Sequence, residues 1–278
     1  MKDLLAIVTP VWADTLEEPA RHAFALAREL GARLTVMITT IEPFHAAPPS
    51  QPDNMQGDDA ARKPPSLDEI VERTATLVRS EAQSAGVAHV ILPPAEKSVA
   101  LRERLIALAQ LRDLTIFSNY GPLANPRLGL VEAALFGSGR PVLLMPRAAQ
   151  TFCDGTVVVG WDATRAAVRA LHDAMPLLIR ARQIVVASVG DDKELPLDAS
   201  GPAICSYLQQ REIDASFQAL TRQQRSVGEA LLFHARRLGA NLLVMGGFGH
   251  ARQREFLFGS ATRDVFQTYL DIPVLLSH

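Results

Sequence analysis

The sequence alternates short β-branched runs with stretches of helical periodicity, and it passes through that alternation twice. In the first half the strand-like runs are 4–10 (LLAIVTP), 32–41, 87–93, 114–118 and 141–146. Helical spacing fills 16–30, closed by Gly31 as a C-cap, and 99–111. In the second half the runs are 156–161, 183–189, 215–220, 241–246 and 273–277, with helices near 164–178, 201–211, 226–238 and 260–270. Strands separated by helices of this length build βαβ units, which require a parallel sheet covered on both faces. The halves align at nearly constant offsets. Pro10 matches Gly160 at 150, Ser98-Val99 matches Ser226-Val227 at 128, Gly121 matches Gly249 at 128, and Pro141–Leu144 matches Pro273–Leu276 at 132. Duplication explains the pattern, and each change of offset locates an insertion. The first is the Pro- and Asp-rich stretch 43–65, read as a mobile surface loop. The second gives the later half four extra residues between its fourth and fifth strands.

Two halves predict two domains, 1–147 and 155–278, joined by the short linker RAAQTFCDG (147–155). With 48% apolar residues in 278, each half can bury its own core. Twenty-eight basic against 30 acidic residues disfavours a broad nucleic-acid footprint. No apolar run reaches the roughly 18 residues of a membrane span, and Pro10 and Asp14 interrupt the N-terminal stretch, which reads as a buried strand. Cys153 and Cys205 make no disulfide framework, so the expectation is a cytoplasmic chain with neither membrane nor nucleic-acid partner.

In such a sheet, ligands bind beyond the carboxyl ends of the strands where strand order reverses. Two segments of the second half should meet there: Gly160-Trp161-Asp162 and the stretch from Met245 to Thr262. Gly246, Gly249 and Gly259, followed by Ser260, read G-x2-G-x9-G-S. Glycines let bare amides approach an anion, and a helix opening at Ser260, itself a candidate N-cap, adds free N–H groups and its dipole. The same spacing also suits a plain strand-to-helix connection capped by glycine. It is neither a Walker A loop nor a dinucleotide fingerprint, because no lysine follows the glycines and the loop follows strand four. His250, Arg252 and Arg254 either screen polyphosphate or form a solvated face neutralised by Glu255. His22, His172 and His234 lack a second ligand at helical spacing and read as surface histidines, and no metal site is expected. No catalytic residue is assigned: the loop offers no paired carboxylates, nucleophile–base pair or lysine.

With these residues in view, the chain resembles a tandem universal stress protein. Nucleotide-binding members of that family carry the same glycine spacing after strand four and an aspartate at the end of strand one, here Asp162 in VVVGWDAT. The segments 29–37, 239–250 and 272–278 resemble family segments, while 135–146 and 157–178 resemble its tandem bacterial branch. The resemblance implies an α/β fold of two Rossmann-like domains. Each would be a five-stranded parallel sheet, order 3-2-1-4-5, flanked by helices and paired with the other through strand five. It implies an adenine nucleotide, ATP with or without Mg2+, in the second domain, and a regulatory or sensing role in stress. Gly246, Gly249, Gly259, Ser260 and the amide of Ala261 would hold ribose and phosphates. Asp162 would meet adenosine, and Met245 and Val189 would pack adenine. Slow ATP hydrolysis, a nucleotide-free scaffold and further pairing into a homodimer stay open. Two departures stand out. Gly160-Trp161 replaces Pro and a small residue, with Trp161 alternatively interdomain core, and Asn241 replaces the usual Asp.

The first half reads as degenerate. Ser118 replaces the first glycine, Pro122 follows the second, Val131 stands where the third belongs, and Trp12 takes the place of the aspartate. A copy of LFGS at 135–138 lies too close to Pro141 to start a helix, so Gly137 reads as the C-cap of a helix near 126–136.

Overall fold

A computed structural model describes residues 1–10, 15–39, 65–93, 98–118, 127–147, 154–190, 195–247 and 260–278. The first half contributes strands β1 (Asp3–Val8), β2 (Arg33–Ile38), β3 (His89–Leu92), β4 (Leu114–Ser118) and β5 (Val142–Met145). Its helices are α1 (Glu18–Leu30), α2 (Leu67–Ala85), α3 (Ser98–Gln110) and α4 (Arg127–Gly137). The second half contributes β6 (Thr156–Gly160), β7 (Gln183–Val189), β8 (Ser216–Leu220), β9 (Leu242–Gly246) and β10 (Val274–Ser277). Between these strands run α5 (Arg165–Leu178), α6 (Gly201–Gln209), α7 (Val227–Arg237) and α8 (Ser260–Gln267).

Each half has the strand order 3-2-1-4-5 expected from the resemblance, with parallel pairing throughout. The two sheets do not stay separate. β5 and β10 pair antiparallel, with Leu143 opposite Leu275, and fuse the halves into one ten-stranded mixed sheet, β3-β2-β1-β4-β5-β10-β9-β6-β7-β8. The central strands are apolar without interruption because both faces are covered. Their alternating residues feed two cores. Val157, Val159 and Leu275 face α1, α2, α5 and α6, whereas Val158, Leu243 and Leu276 face α3, α4, α7 and α8.

Helix ends follow local chemistry. Gly31 closes α1 in the left-handed region (φ 59), as its sequence position predicts. Ser66 and Glu69 form a reciprocal capping box that starts α2, a helix the periodicity reading passed over. The cap of α4 differs from expectation. Gly137 is its last helical residue, and the positive φ falls at Gly139 (φ 67). Gly137 is glycine for another reason: a Cβ there would lie 2.8 Å from Ile106 Cδ1 of α3. The stretch 43–65 lies outside the described residues except for its last position.

Across the seam, Arg169 of α5 donates to the Gly139 carbonyl at 2.6 Å, and Arg180 donates to the carbonyl of Glu29. On the other face, the rings of Phe136 and His278 meet edge to face at 4.9 Å.

Candidate functional site

The strand order reverses between β6 and β9, so the crevice lies where these two strands end. Asp162 follows β6 in a tight turn. Its Oδ1 accepts from the Thr164 amide at 3.0 Å and from the Thr164 hydroxyl at 2.6 Å. Thr164 in turn caps α5, its hydroxyl accepting from the Ala167 amide at 3.2 Å. The Asp-x-Thr spacing makes this turn locally, because both short polar side chains bond nearby backbone. Between them Ala163 takes a left-handed conformation (φ 57), at a cost of roughly 1 kcal/mol for a residue with a Cβ. The result is an exposed carboxylate whose Oδ2 has no partner among the described residues.

Gly246 ends β9 directly under α5. A Cβ at Gly246 would lie 2.6 Å from the Ala167 nitrogen and 2.9 Å from the Ala166 Cβ, so the helix backbone itself requires glycine here. Gly247, which the motif did not single out, is held on both sides. Its N–H donates to the Ser277 carbonyl at 2.7 Å, and its own carbonyl pairs with His278 Nδ1 at 3.0 Å. A Cβ on Gly247 would touch Leu135 of the first half at 3.1 Å. Gly249 and Gly259, with His250, Arg252, Arg254 and Glu255, lie outside the described residues. The chain is described again from Ser260, with which α8 opens. Ala261 follows within that first turn, where a helix leaves its N–H groups without intrahelical partners.

Met245 and Val189 share the sheet face that carries α7. Met245 sits beside Gly160, whose imagined Cβ would lie 3.4 Å from the Met245 Cβ and 3.0 Å from Leu231 Cδ1 of α7. A side chain at residue 160 would press on Leu231 of α7. Met245 is only 3% exposed, so its side chain is already covered, while Val189 is half-buried at the end of β7. Trp161 turns to the opposite face. Its indole is buried and its Nε1–H donates at 2.8 Å to the carbonyl of Ala199, in the 3-10 turn Leu197–Ala199 between β7 and α6. That partner belongs to the second half, and the indole also lies in the core that draws residues from both halves. Asn241 lies at the amino end of the sheet, exchanging bonds with the backbone of Thr156 at 2.8 and 2.9 Å.

The histidines are not all on the surface. His22 and His234 are half-buried, and burial is the leading cause that holds both below the usual histidine value. His172 is exposed and meets the Tyr207 hydroxyl at 2.8 Å through Nε2. Among the described residues no group of three His, Cys, Asp or Glu side chains is gathered as for a metal ion. Burial raises the thiol of Cys205 above its ordinary value, away from thiolate chemistry.

The first half has a different corner. Eight residues (119–126) join β4 to α4, against thirteen (247–259) from β9 to α8. Val131 is fully buried inside α4. Arg127 opens α4, and Glu17, the N-cap residue of α1, lies within Coulomb range of Arg127 and Arg147. Burial raises the Glu17 carboxyl above the usual range, and the two arginines pull it back. Trp12 and Pro122 lie outside the described residues.

No family model matches the sequence, and no curated protein matches it. Solved structures do. A universal stress protein from Archaeoglobus fulgidus DSM 4304 aligns over 98% of this chain and 95% of its own, with TM-score 0.67 and 14% identity. The fold is the universal stress protein fold. A chain assigned as a universal stress protein from Pseudomonas aeruginosa UCBPP-PA14 aligns over 100% of this chain and 93% of its own, with TM-score 0.62 and 15% identity. A shorter universal stress protein, solved in complex with cAMP, covers 47% of this chain and 98% of its own at TM-score 0.32 and 21% identity, and at that score bears on neither fold nor ligand here. No described helix is long and apolar enough to cross a membrane.

Proposed function

We propose that the chain is a tandem universal stress protein whose second half binds one adenine nucleotide, ATP with or without Mg2+, and that it acts as a cytoplasmic stress-linked regulator. The observation that carries this reading is Asp162. It stands exposed at the strand-order reversal, one oxygen spent on the turn and the other without a partner among the described residues. An acceptor so placed suits the hydroxyl or amino groups of adenosine, and the amide end of α8 suits phosphate. The described residues therefore fit the nucleotide in part: acceptor and helix end are there, while Met245 is already covered and Gly246 is committed to α5. The first half binds none. Its α4 begins with an arginine that already faces the internal carboxylate of Glu17, and its connection is shorter.

Calorimetric titration with ATP tests the reading. Asp162→Ala is expected to lose about 1.5–3 kcal/mol of binding, the value of a charged hydrogen bond. Asp162→Asn keeps the turn acceptor, so an intact fold with weakened binding assigns the loss to the ligand. Wild-type stoichiometry should be one nucleotide per chain. Two per chain, or wild-type affinity in a folded Asp162→Ala, refutes it. A second reading, a nucleotide-free scaffold, is favoured by Gly246, whose missing side chain the packing of α5 already explains. No ATP binding by the wild type would select it.

A further inference from the structure

In the second half α8 crosses directly over the first turn of α7. Gly228, the second residue of α7, is buried there. A Cβ on it would stand 2.4 Å from the Ala261 carbonyl and 2.9 Å from the Asp264 Cβ, so backbone meets backbone only because residue 228 is glycine. A hydrogen bond fastens the same crossing. The Ser226 hydroxyl donates to Asp264 Oδ2 at 2.5 Å while it accepts from the Glu229 amide at 3.2 Å as the N-cap of α7. Glu229 completes the box by accepting from the Ser226 amide at 2.9 Å. One serine therefore ties the start of α7 to the second turn of α8.

The first half lacks this arrangement. At the offset that aligns Ser98-Val99 with Ser226-Val227, the counterpart of Gly228 is Ala100. Ala100 is exposed, so among the described residues no backbone covers it as α8 covers Gly228. The close crossing thus occurs in the half that has the longer strand-to-helix connection and the glycine spacing, and not in its degenerate copy.

Resting on the nucleotide reading above, we propose that Gly228, Ser226 and Asp264 are positioning residues for the phosphate end of the site. They touch no ligand. They set where α8 begins, and so where its first amides stand relative to Asp162 across the crevice. At the other end of the loop the backbone of Gly247 is held by Ser277 and His278, so its two ends are fixed independently.

The test compares ATP with adenosine. Gly228→Ala must push the Ala261 carbonyl away by roughly 1 Å to reach an ordinary contact distance of about 3.5 Å. The expected result is at least a tenfold loss of ATP affinity with adenosine affinity within twofold of wild type, since adenosine lacks the phosphates. Asp264→Ala should repeat the loss. Asp264→Asn, which keeps an acceptor for the Ser226 hydroxyl, should restore ATP affinity to within about threefold. Should Gly228→Ala fail to fold, the Asp264 pair decides. An unchanged ratio of ATP to adenosine affinity in the folded variants overturns the proposal and leaves nucleotide binding standing. Failure of the wild type to bind ATP overturns both.

Discussion

Gly246→Ala would place a methyl group inside the first turn of α5. The new carbon would lie 2.6 Å from the Ala167 nitrogen and 2.8 Å from the Ala166 carbonyl carbon, both backbone atoms that no rotamer change can move. Relief requires α5 to lift by roughly 0.8 Å, toward the ordinary contact distance of about 3.5 Å. α5 buries seven residues, from Ala166 to Leu178, so the displacement spreads into the core it shares with α1. Overpacking of this kind costs about 1–3 kcal/mol. Alanine returns about 0.4–1 kcal/mol by restricting the unfolded chain, because Gly246 is not in a positive-φ conformation. The net loss is about 1–2 kcal/mol, which for a chain of this size lowers Tm by roughly 2–8 °C. Thermal unfolding followed by circular dichroism without nucleotide measures it. A Tm within about 1 °C of wild type would refute the packing argument and return Gly246 to the ligand.

Acid should weaken the fold through two histidines. Burial, aided by Arg237, lowers His234, and burial with Arg21 lowers His22 against the opposing pull of Glu18. Their contribution is present above the ordinary histidine value of 6.5 and is lost as pH falls through the depressed folded values, because the unfolded chain takes up the protons first. Replacing both by glutamine should flatten the dependence of unfolding free energy on pH between about 7.5 and 5, and an unchanged slope contradicts the assignment. Trp161→Phe removes the donor to the Ala199 carbonyl and should cost about 1–2 kcal/mol, with faster amide exchange across the 3-10 turn and the start of α6. Wild-type exchange there would mean that the indole bond does not hold that turn.

The strands could be read from the sequence because buried parallel strands are written as unbroken apolar runs, as in TVVVG and LLVMG, whereas their order followed only from the family resemblance. Helix ends were legible where one residue decides them, as Gly31 does. They were misread where two residues compete: Gly137 resembles a cap, yet it is glycine to admit Ile106. The start of α2 carries its own signal in Ser66-x-x-Glu69, directly after the polar stretch 43–65. Of the candidate site, the exposed strand-end position of Asp162 was legible, because its turn is local, whereas the packing at Gly246 and Gly228 was not. A one-dimensional pattern gives a glycine the same letter whether it faces a ligand or a helix. Both of these face helices that arrive from distant parts of the chain.

The antiparallel seam between β5 and β10 makes the central joint of this sheet a first-order event. Two separate chains joined along fifth strands would come apart on dilution, each then displaying an unpaired, fully buried-type strand as an adhesive border. Here the partners belong to one chain, joined through residues 147–155, so the pairing is intramolecular and dilution does not part them. The continuity of the ten strands is therefore independent of how much protein is present, and it keeps the two halves in fixed one-to-one proportion. That permanence frees the first half from any need to recognise its mate. Its carboxyl-end loops can drift in sequence so long as Val142, Leu143 and Leu144 of β5 keep their ladder to β10.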